Sequence, residues 1–301
     1  MARPLAVGVQ LPEVERVVSW QELRDMTLAA EATGFDSIWV GDHLLYRDGD
    51  GASGPWEAWS VLAGLAAITD RVQLGPLVAS TSFHNPAMLA KKAATVDEIS
   101  GGRLILGLGA GWNETEYAAF GFPFDHRVAR FAEAFTIIRT LLTQGSIDFE
   151  GDYYTLRDCE LVPPPRPGGP PLMIGSTGPK MLAITLPYVD LWNVWHAWHG
   201  NRPSGFGEVN ATIDDACREV GRDPAEVGRT TALYWQFAGG TGRVQANPDR
   251  DSAAPLSGGA DQLADTLLAF AEAGANHVQL VLDPITTESI EIAAEALAIL
   301  D

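Results

Sequence analysis

The chain has 301 residues, of which 46% are hydrophobic, and its 39 acidic against 20 basic side chains give a formal net charge of −19. This composition predicts a globular protein with a large core, and the negative charge argues against nucleic acid and anionic membrane surfaces as partners. The two cysteines indicate no disulfide framework.

The first residues, MARPLAVGVQLPE, hold no sustained apolar run, and no stretch of about 18 apolar residues follows them. We therefore expect neither a secretory signal nor a transmembrane helix, and a cytoplasmic location.

Strands and helices are predicted to alternate along the chain, from apolar periodicity and from glycine and proline stops. Strands are predicted over residues 5–11, 36–42, 72–78, 104–106, 171–176, 189–194, 229–237 and 276–282. Helices are predicted over residues 19–34, 56–69, 86–101, 127–143, 211–220, 260–273 and 286–300, with a further helix starting at residues 178–180.

This alternation, with no break in composition, predicts an α/β fold: a (β/α)8 barrel formed by residues 1–301 as a single domain. A doubly wound parallel sheet is the alternative fold. Residues 146–171 interrupt the alternation with a hairpin pattern followed by the proline-rich run VPPPRPGGPP. Proline fits neither a central strand nor a helix interior, so this segment is predicted to be a surface insertion.

The stretch RLILGLGAGWNETE, residues 103–116, has the pattern of a cofactor-binding turn. A short apolar strand is followed by Gly107, Gly109 and Gly111, which allow a close backbone approach, and then by a helix start at Asn113. A tight loop without a ligand is an equally good interpretation, because this glycine spacing alone is a weak signal.

A second loop of small residues follows the fifth predicted strand, with Gly175, Ser176, Thr177 and Gly178 before Pro179. Its N–H groups and hydroxyls suit a phosphate, although the spacing is not that of a nucleotide P-loop, and a simple helix cap is the alternative.

In a (β/α)8 barrel the functional residues lie at the carboxyl ends of the strands. The candidates there are Gln10, Asp42 and His43, residues 78–80, residues 109–113, residues 175–178 and residues 193–196. Among them, His43 beside Asp42 is the predicted proton donor or acceptor. The HAWH pair, His196 and His199, has no adjacent carboxylate, so we expect no metal site there. Several of the nine tryptophans follow strand ends and could enclose a planar ring.

The chain resembles the luciferase-like oxidoreductase superfamily, in the branch that uses the deazaflavin coenzyme F420. The resemblance rests on AAEATGFDSIWVGDHL, on the succession NPAMLAK, ISGGR and GLGAGW, on PLMIGSTGP and on AEAGANHVQLVLDP. It implies a (β/α)8 barrel, commonly a homodimer, with a tricyclic ring across the barrel mouth and a non-proline cis peptide near Leu77 and Val78.

The resemblance also implies roles for individual residues. Asp42 and His43 match a catalytic pair, and the implied cofactor-binding residues are Asp42, Leu77, Val78, Ser80, Gly109, Ala110, Gly111, Trp112, Gly175, Ser176, Thr177 and Gly178. In the sugar-phosphate dehydrogenase branch a glutamate follows the glycine turn, where this chain has Trp112. A sugar-phosphate substrate is therefore not expected.

The first functional hypothesis is an F420-dependent oxidoreductase that moves a hydride between the deazaflavin and a small organic substrate, with His43 handling a proton. The second is an FMN-dependent monooxygenase supplied with reduced flavin by a partner reductase. The third is a flavin-binding protein without turnover, against which the Asp42–His43 pair weighs.

Overall fold

A computed structural model describes residues 3–48, 51–243 and 251–301. Its strands are β1 (Ala6–Gln10), β2 (Ser37–Val40), β3 (Tyr46–Asp48), β4 (Gly51–Ser53), β5 (Gln73–Pro76), β6 (Ala79–Ser80), β7 (Leu106–Gly109), β8 (Ser146–Glu150), β9 (Thr155–Glu160), β10 (Leu172–Gly175), β11 (Leu191–Trp195), β12 (Gly228–Gln236), β13 (Leu256–Ser257) and β14 (His277–Asp283). Its α-helices are α1 (Trp20–Ala32), α2 (Ala58–Ile68), α3 (Pro86–Ser100), α4 (Glu114–Phe120), α5 (Arg127–Gln144), α6 (Pro179–Thr185), α7 (Pro203–Glu219), α8 (Ala260–Glu272) and α9 (Thr287–Leu300).

The main sheet is a parallel barrel with helices outside it. Its strands follow one another in the order β5, β2, β1, β14, β12, β11, β10, β7 and β6. A parallel bridge between Leu74 and Leu104 joins β5 to the start of the β7 segment and closes the circle. Because β5 and β6 are two halves of one interrupted strand, the barrel has eight strand positions. The predicted (β/α)8 barrel is thus confirmed.

The interruption in the third barrel strand lies at the predicted place. The peptide bond between Leu77 and Val78 is cis, and it separates β5, which pairs with β2, from β6, which pairs with β7. The strand therefore changes partner across this bulge, which lies at the carboxyl end of the barrel.

Two predicted boundaries were wrong for identifiable reasons. The fourth strand was predicted at 104–106, but β7 spans Leu106–Gly109, so Gly107 and Gly109 are strand residues and not part of a turn. A Cβ on Gly107 would lie 2.3 Å from the carbonyl oxygen of Pro76, so the strand needs glycine there for close packing. Helix α7 begins at Pro203, eight residues before the prediction, because Gly205 and Gly207 obscured its first turns.

Local signals explain most helix starts. The Ser19 side chain accepts a hydrogen bond from the Glu22 N–H at the start of α1, and Asn85 does the same for Ala87 and Met88 at the start of α3. Gly101 ends α3 in the left-handed conformation, at φ 71°. These helices bury one face each against alternate residues of the strands, which forms the main core.

The inside of the barrel is partly polar. The Ser37 hydroxyl lies 2.7 Å from His277 Nε2 and accepts a hydrogen bond from the Trp39 indole. Elsewhere inside the barrel, the Asn193 amide donates hydrogen bonds to Thr230 and to Gln279. These hydrogen bonds offset much of the cost of burying the polar groups, although Nε2 of Gln279 has no partner among the described residues.

Within residues 146–171, β8 and β9 form an antiparallel hairpin separate from the main sheet, and the proline-rich run follows it. Both cysteines are free thiols, Cys159 on the hairpin and Cys217 on α7. No helix within the described ranges is long and apolar enough to span a membrane.

Candidate active site

A cavity of about 690 Å³ opens at the carboxyl ends of the barrel strands. Its size falls in the range of small-molecule and cofactor sites. The residues predicted for the site lie in its wall: Asp42, His43, Leu77, Val78, Ser80, Gly109, Ala110, Gly111, Trp112, Gly175, Ser176, Thr177 and Gly178. The structure therefore brings these residues together, while their roles remain predictions.

His43 lies between two carboxylates. Its Nδ1 is 2.8 Å from Oε1 of Glu116, and its Nε2 is 3.7 Å from Oε1 of Glu13. Burial by itself lowers the pKa of His43, but the charge of Glu13 and the hydrogen bond and charge of Glu116 outweigh burial and raise it. The ring therefore holds its second proton to higher pH than an ordinary histidine.

Glu13 follows β1 and is the centre of a buried network. Its carboxylate accepts hydrogen bonds from the Gln10 amide at 2.7 Å, from the Tyr46 hydroxyl and from Arg243 at 3.1 Å. Burial raises the pKa of Glu13, whereas the charges of Arg243 and His43 lower it, with a net lowering. Arg243 also pairs with Glu15 at 3.2 Å.

Asp42 is buried and supports the chain that follows the cis peptide. Its Oδ2 accepts hydrogen bonds from the Ser80 backbone N–H at 2.9 Å and from His84 Nε2 at 3.0 Å. The carboxylate thus fixes β6 relative to β2, beside the cavity that it lines. Its contacts are those of a residue that holds the cavity wall in place.

The close neighbours of the predicted glycines are side chains of the protein itself. A Cβ on Gly109 would lie 2.9 Å from the Val78 side chain, and a Cβ on Gly175 would lie 2.9 Å and 3.0 Å from its two methyl carbons. Glycine at these positions therefore makes room for Val78 at the bulge. Packing against Val78 therefore explains why glycine occurs at these positions. The evidence that the site binds a ligand is the cavity, and not the spacing of the glycines.

Gly111 has a separate requirement. Its φ is +73°, and a Cβ there would lie 2.0 Å from the Tyr117 hydroxyl and 2.4 Å from the Ser80 hydroxyl. The Tyr117 hydroxyl in turn donates to the Ala110 carbonyl at 2.7 Å. A larger residue at position 111 would disturb this packing as well as any ligand.

The cavity wall also offers hydroxyls and one guanidinium. The Ser176 hydroxyl accepts a hydrogen bond from the Gly178 N–H at 3.2 Å, and Thr177 is half-buried beside it. Arg127 lies over the Phe124 ring at 3.9 Å and donates to the Gly111 carbonyl at 3.2 Å. These groups suit the polar tail of a long ligand, and Leu77 and Val78 suit its planar part.

Aromatic side chains line the remaining wall. Tyr46 and Trp112 lie 4.9 Å and 5.5 Å from the His43 ring, and Trp195 lies 5.9 Å from Tyr234. Trp198 also lines the cavity, but His196 does not: it is buried, with Nε2 2.7 Å from the Arg202 carbonyl oxygen. The strand-end prediction was therefore wrong for His196. No cluster of three or more potential metal ligands occurs in the described part of the chain.

Several residues of the site were not singled out from the sequence, among them Glu13, Tyr46, Glu116 and Arg243. Glu116 was interpreted only as part of the helix start at Asn113, where acidic residues are common. Glu13, which follows β1 by three residues, had a usable signal in its position near a strand end. Arg243 had none, because a lone arginine in a glycine-rich loop is usually exposed.

Comparison with known proteins gives matches along most of the chain. The family described as luciferase-like monooxygenase matches residues 5–247. An F420-dependent glucose-6-phosphate dehydrogenase of Amycolatopsis mediterranei is 39% identical over 165 residues, which is 53% of this chain and 48% of that protein. A pyrimidine monooxygenase, RutA, of Caulobacter segnis is 30% identical over 214 residues, which is 68% of this chain and 59% of that protein. The matched regions thus span about half to three-fifths of these relatives.

One solved structure shares the fold over nearly its full length. It is an F420-dependent secondary alcohol dehydrogenase in complex with an F420-acetone adduct, with a TM-score of 0.81, 22% identity, and 99% of each chain covered. At this identity the likeness concerns the fold.

Proposed function

The chain belongs to the luciferase-like monooxygenase family, and from this premise we propose that it is an F420-dependent oxidoreductase acting on a small organic substrate. The observation that carries the proposal is the position of His43 in the cavity wall, between Glu13 and Glu116. An imidazole held in this way is suited to give or take the proton that accompanies hydride transfer.

The residues of the cavity fit a deazaflavin. Leu77 and Val78 offer an apolar platform at the bulge, and Ser176, Thr177 and Arg127 offer polar groups to the tail. Bound there, the deazaflavin would supply a carbon centre that accepts or donates a hydride. The protein would hold the ring, keep water from it and move a proton at His43.

The charges of the cavity favour a substrate without phosphate. Of the two arginines in the described part of its wall, Arg243 is paired with Glu13 and Glu15, and Arg127 is the one that the cofactor tail would use. A phosphate near His43 would face the carboxylates of Glu13 and Glu116, which are both buried and so poorly screened by water. We therefore propose an uncharged alcohol or carbonyl compound and not a sugar phosphate, despite the similarity to the glucose-6-phosphate dehydrogenase.

A second candidate function has its own support. The 30% identity to a pyrimidine monooxygenase extends over two-thirds of this chain and favours FMN-dependent oxygenation with reduced flavin from a partner reductase. The same cavity residues would hold either cofactor. We further propose that the protein is cytoplasmic and, as the resemblance to its family implies, that it forms a homodimer.

A fluorescence titration of the purified protein with F420 and, separately, with FMN tests the proposal. Tight binding of F420 alone supports it, and turnover is then assayed by F420 absorbance with neutral alcohols and with glucose 6-phosphate. Preference for FMN would replace it with the oxygenase, and binding of neither would favour a non-catalytic protein. Sedimentation velocity measures the oligomeric state in the same preparation.

A further inference from the structure

Glu116 is an unusual residue for the start of a helix, because it is fully buried. Its Oε1 is 2.8 Å from His43 Nδ1 and 2.8 Å from Asn113 Nδ2, and its Oε2 has no hydrogen-bond partner among the described residues. A buried carboxylate is costly unless it is compensated. The groups that compensate it are the Asn113 amide and the His43 ring, which makes Glu116 part of the site.

The orientation of Asn113 is fixed by its neighbours. Its amide nitrogen donates to the Leu45 carbonyl oxygen at 3.1 Å and to Glu116 Oε1 at 2.8 Å. The flipped amide would point its oxygen at two acceptors, so the nitrogen must face them. Oε1 of Glu116 therefore already accepts one hydrogen bond, from Asn113. Asn113 is itself anchored to Leu45, in the loop that follows His43, and so holds this oxygen in place.

The hydrogen between Glu116 Oε1 and His43 Nδ1 is assigned to the ring, because an ionised carboxylate only accepts hydrogen bonds and this oxygen also accepts one from Asn113. His43 therefore donates from Nδ1 in both of its protonation states. Its Nε2 lies 3.7 Å from Glu13 Oε1, which is outside hydrogen-bonding distance, and Glu13 already accepts from three other donors. The ring is 20% exposed, and this exposure is toward the cavity.

We propose that Glu116 is the positioning residue of this site: it keeps a hydrogen on Nδ1 of His43 and so assigns proton exchange with the substrate to Nε2. The step at this atom is a proton transfer only. When His43 acts as an acid, the N–H bond at Nε2 breaks and the proton forms a bond to a substrate atom. When it acts as a base, the proton leaves the substrate atom and the N–H bond at Nε2 forms. In both directions only a proton moves, so the residue neither gains nor loses electrons. The inference rests on the proposed function, in which His43 handles the proton.

The charged and titratable groups that face the His43 ring are Glu13, Glu116, Asp42 and Tyr46, and Arg243 acts on the ring only through its ion pair with Glu13. Replacing Glu116 with glutamine keeps an oxygen for Nδ1 and for Asn113 but removes one negative charge. His43 should then titrate at lower pH, and kcat at neutral pH should fall roughly tenfold, with the His43 limb of the pH profile moved in the same direction. The matched control is Glu114→Gln, an exposed glutamate two residues earlier on α4.

The primary measurement is ¹⁵N NMR of the histidine rings as a function of pH, with His43 assigned from the spectrum of His43→Gln. We expect neutral His43 in the unmodified protein to carry its hydrogen on Nδ1, the titration midpoint to fall in Glu116→Gln, and Glu114→Gln to match the unmodified protein. A hydrogen on Nε2 in the unmodified protein, or an unchanged midpoint in Glu116→Gln, would overturn the inference. The tautomer of the unmodified protein is decisive even if Glu116→Gln does not fold.

The spectra also separate this inference from the proposed function. If the tautomer and midpoint behave as expected but the protein does not bind F420, the positioning of His43 is upheld and the F420-dependent function is overturned. If F420 binds and turns over but Nδ1 carries no hydrogen, the function stands and the assignment of Glu116 is wrong.

Discussion

Arg243 and Glu13 are 230 residues apart in the sequence, yet their side chains form an ion pair of 3.1 Å beside His43. Both side chains are largely buried, with 15% and 4% exposure. Each charge therefore depends on the other, because a lone charge in this position would lose its hydration without compensation.

Arg243→Leu should consequently lower the free energy of unfolding by about 3 kcal/mol, because Glu13 would be left buried without its counter-charge. Arg157→Leu is the matched control: Arg157 pairs with Glu150 at 3.0 Å, but both side chains are about 70% exposed. That pair should contribute less than about 1 kcal/mol. Urea unfolding of the two variants measures the difference, and equal losses would contradict a buried network.

His43→Gln should reduce turnover by about two orders of magnitude, because the group that moves the proton is lost. Cofactor affinity should change little, since the apolar platform at Leu77 and Val78 stays intact. His126→Gln, with a side chain that is 64% exposed, serves as the control. Steady-state kinetics and fluorescence titration give the two quantities, and full turnover in His43→Gln would remove His43 from the mechanism.

Gly175→Ala should destabilise the protein by about 1–3 kcal/mol, because the new Cβ would lie 2.9 Å and 3.0 Å from the Val78 methyl carbons. Combining it with Val78→Ala should recover part of this loss, since the conflicting methyl groups are then absent. A double-mutant cycle from urea unfolding measures the coupling. Additive effects would show that Gly175 and Val78 do not constrain one another.

His277 makes folding sensitive to acid. Burial lowers its pKa to about 4 from an ordinary value of 6.5. Between these values the unfolded chain binds a proton that the folded chain does not, so the free energy of unfolding declines as pH falls from about 6.5 to about 4, by roughly 3 kcal/mol. His277→Gln should flatten this decline in urea titrations at several pH values, whereas His126→Gln should keep it. An unaltered decline in His277→Gln would assign the acid sensitivity to other groups.

Much of the fold could be predicted because its signals are local. The alternation of apolar runs with glycine and proline stops, together with the N-caps Ser19 and Asn85, locates the strands and helices within a few residues. The errors occurred where a glycine served packing instead of a turn. Gly107 in β7 and Gly205 in α7 are such cases, since each would bring a Cβ within 2.4 Å of a backbone oxygen.

Only those residues of the site that follow the ends of barrel strands could be predicted from the sequence. The barrel rule collected the residues after β2, β5, β7 and β10 around one cavity. It could not indicate that His43 would lie between Glu13 and Glu116, because these contacts depend on side-chain directions and on the segments that follow β1 and β7. The chemistry of the site thus depends on contacts between residues that are far apart in the sequence, and local sequence patterns do not predict such contacts.

The carboxylate of Asp283, at the end of the last barrel strand, accepts hydrogen bonds from Gln236 at 2.6 Å and from the Gly242 backbone N–H at 2.8 Å. It thereby fixes the segment that carries Arg243 to Glu13. The surroundings of His43 are therefore incomplete without the last barrel strand, because Asp283 anchors the segment that brings Arg243 to Glu13. A chain interrupted before residue 283 would contain the histidine but not its finished environment, so the strand that closes the barrel also completes the site.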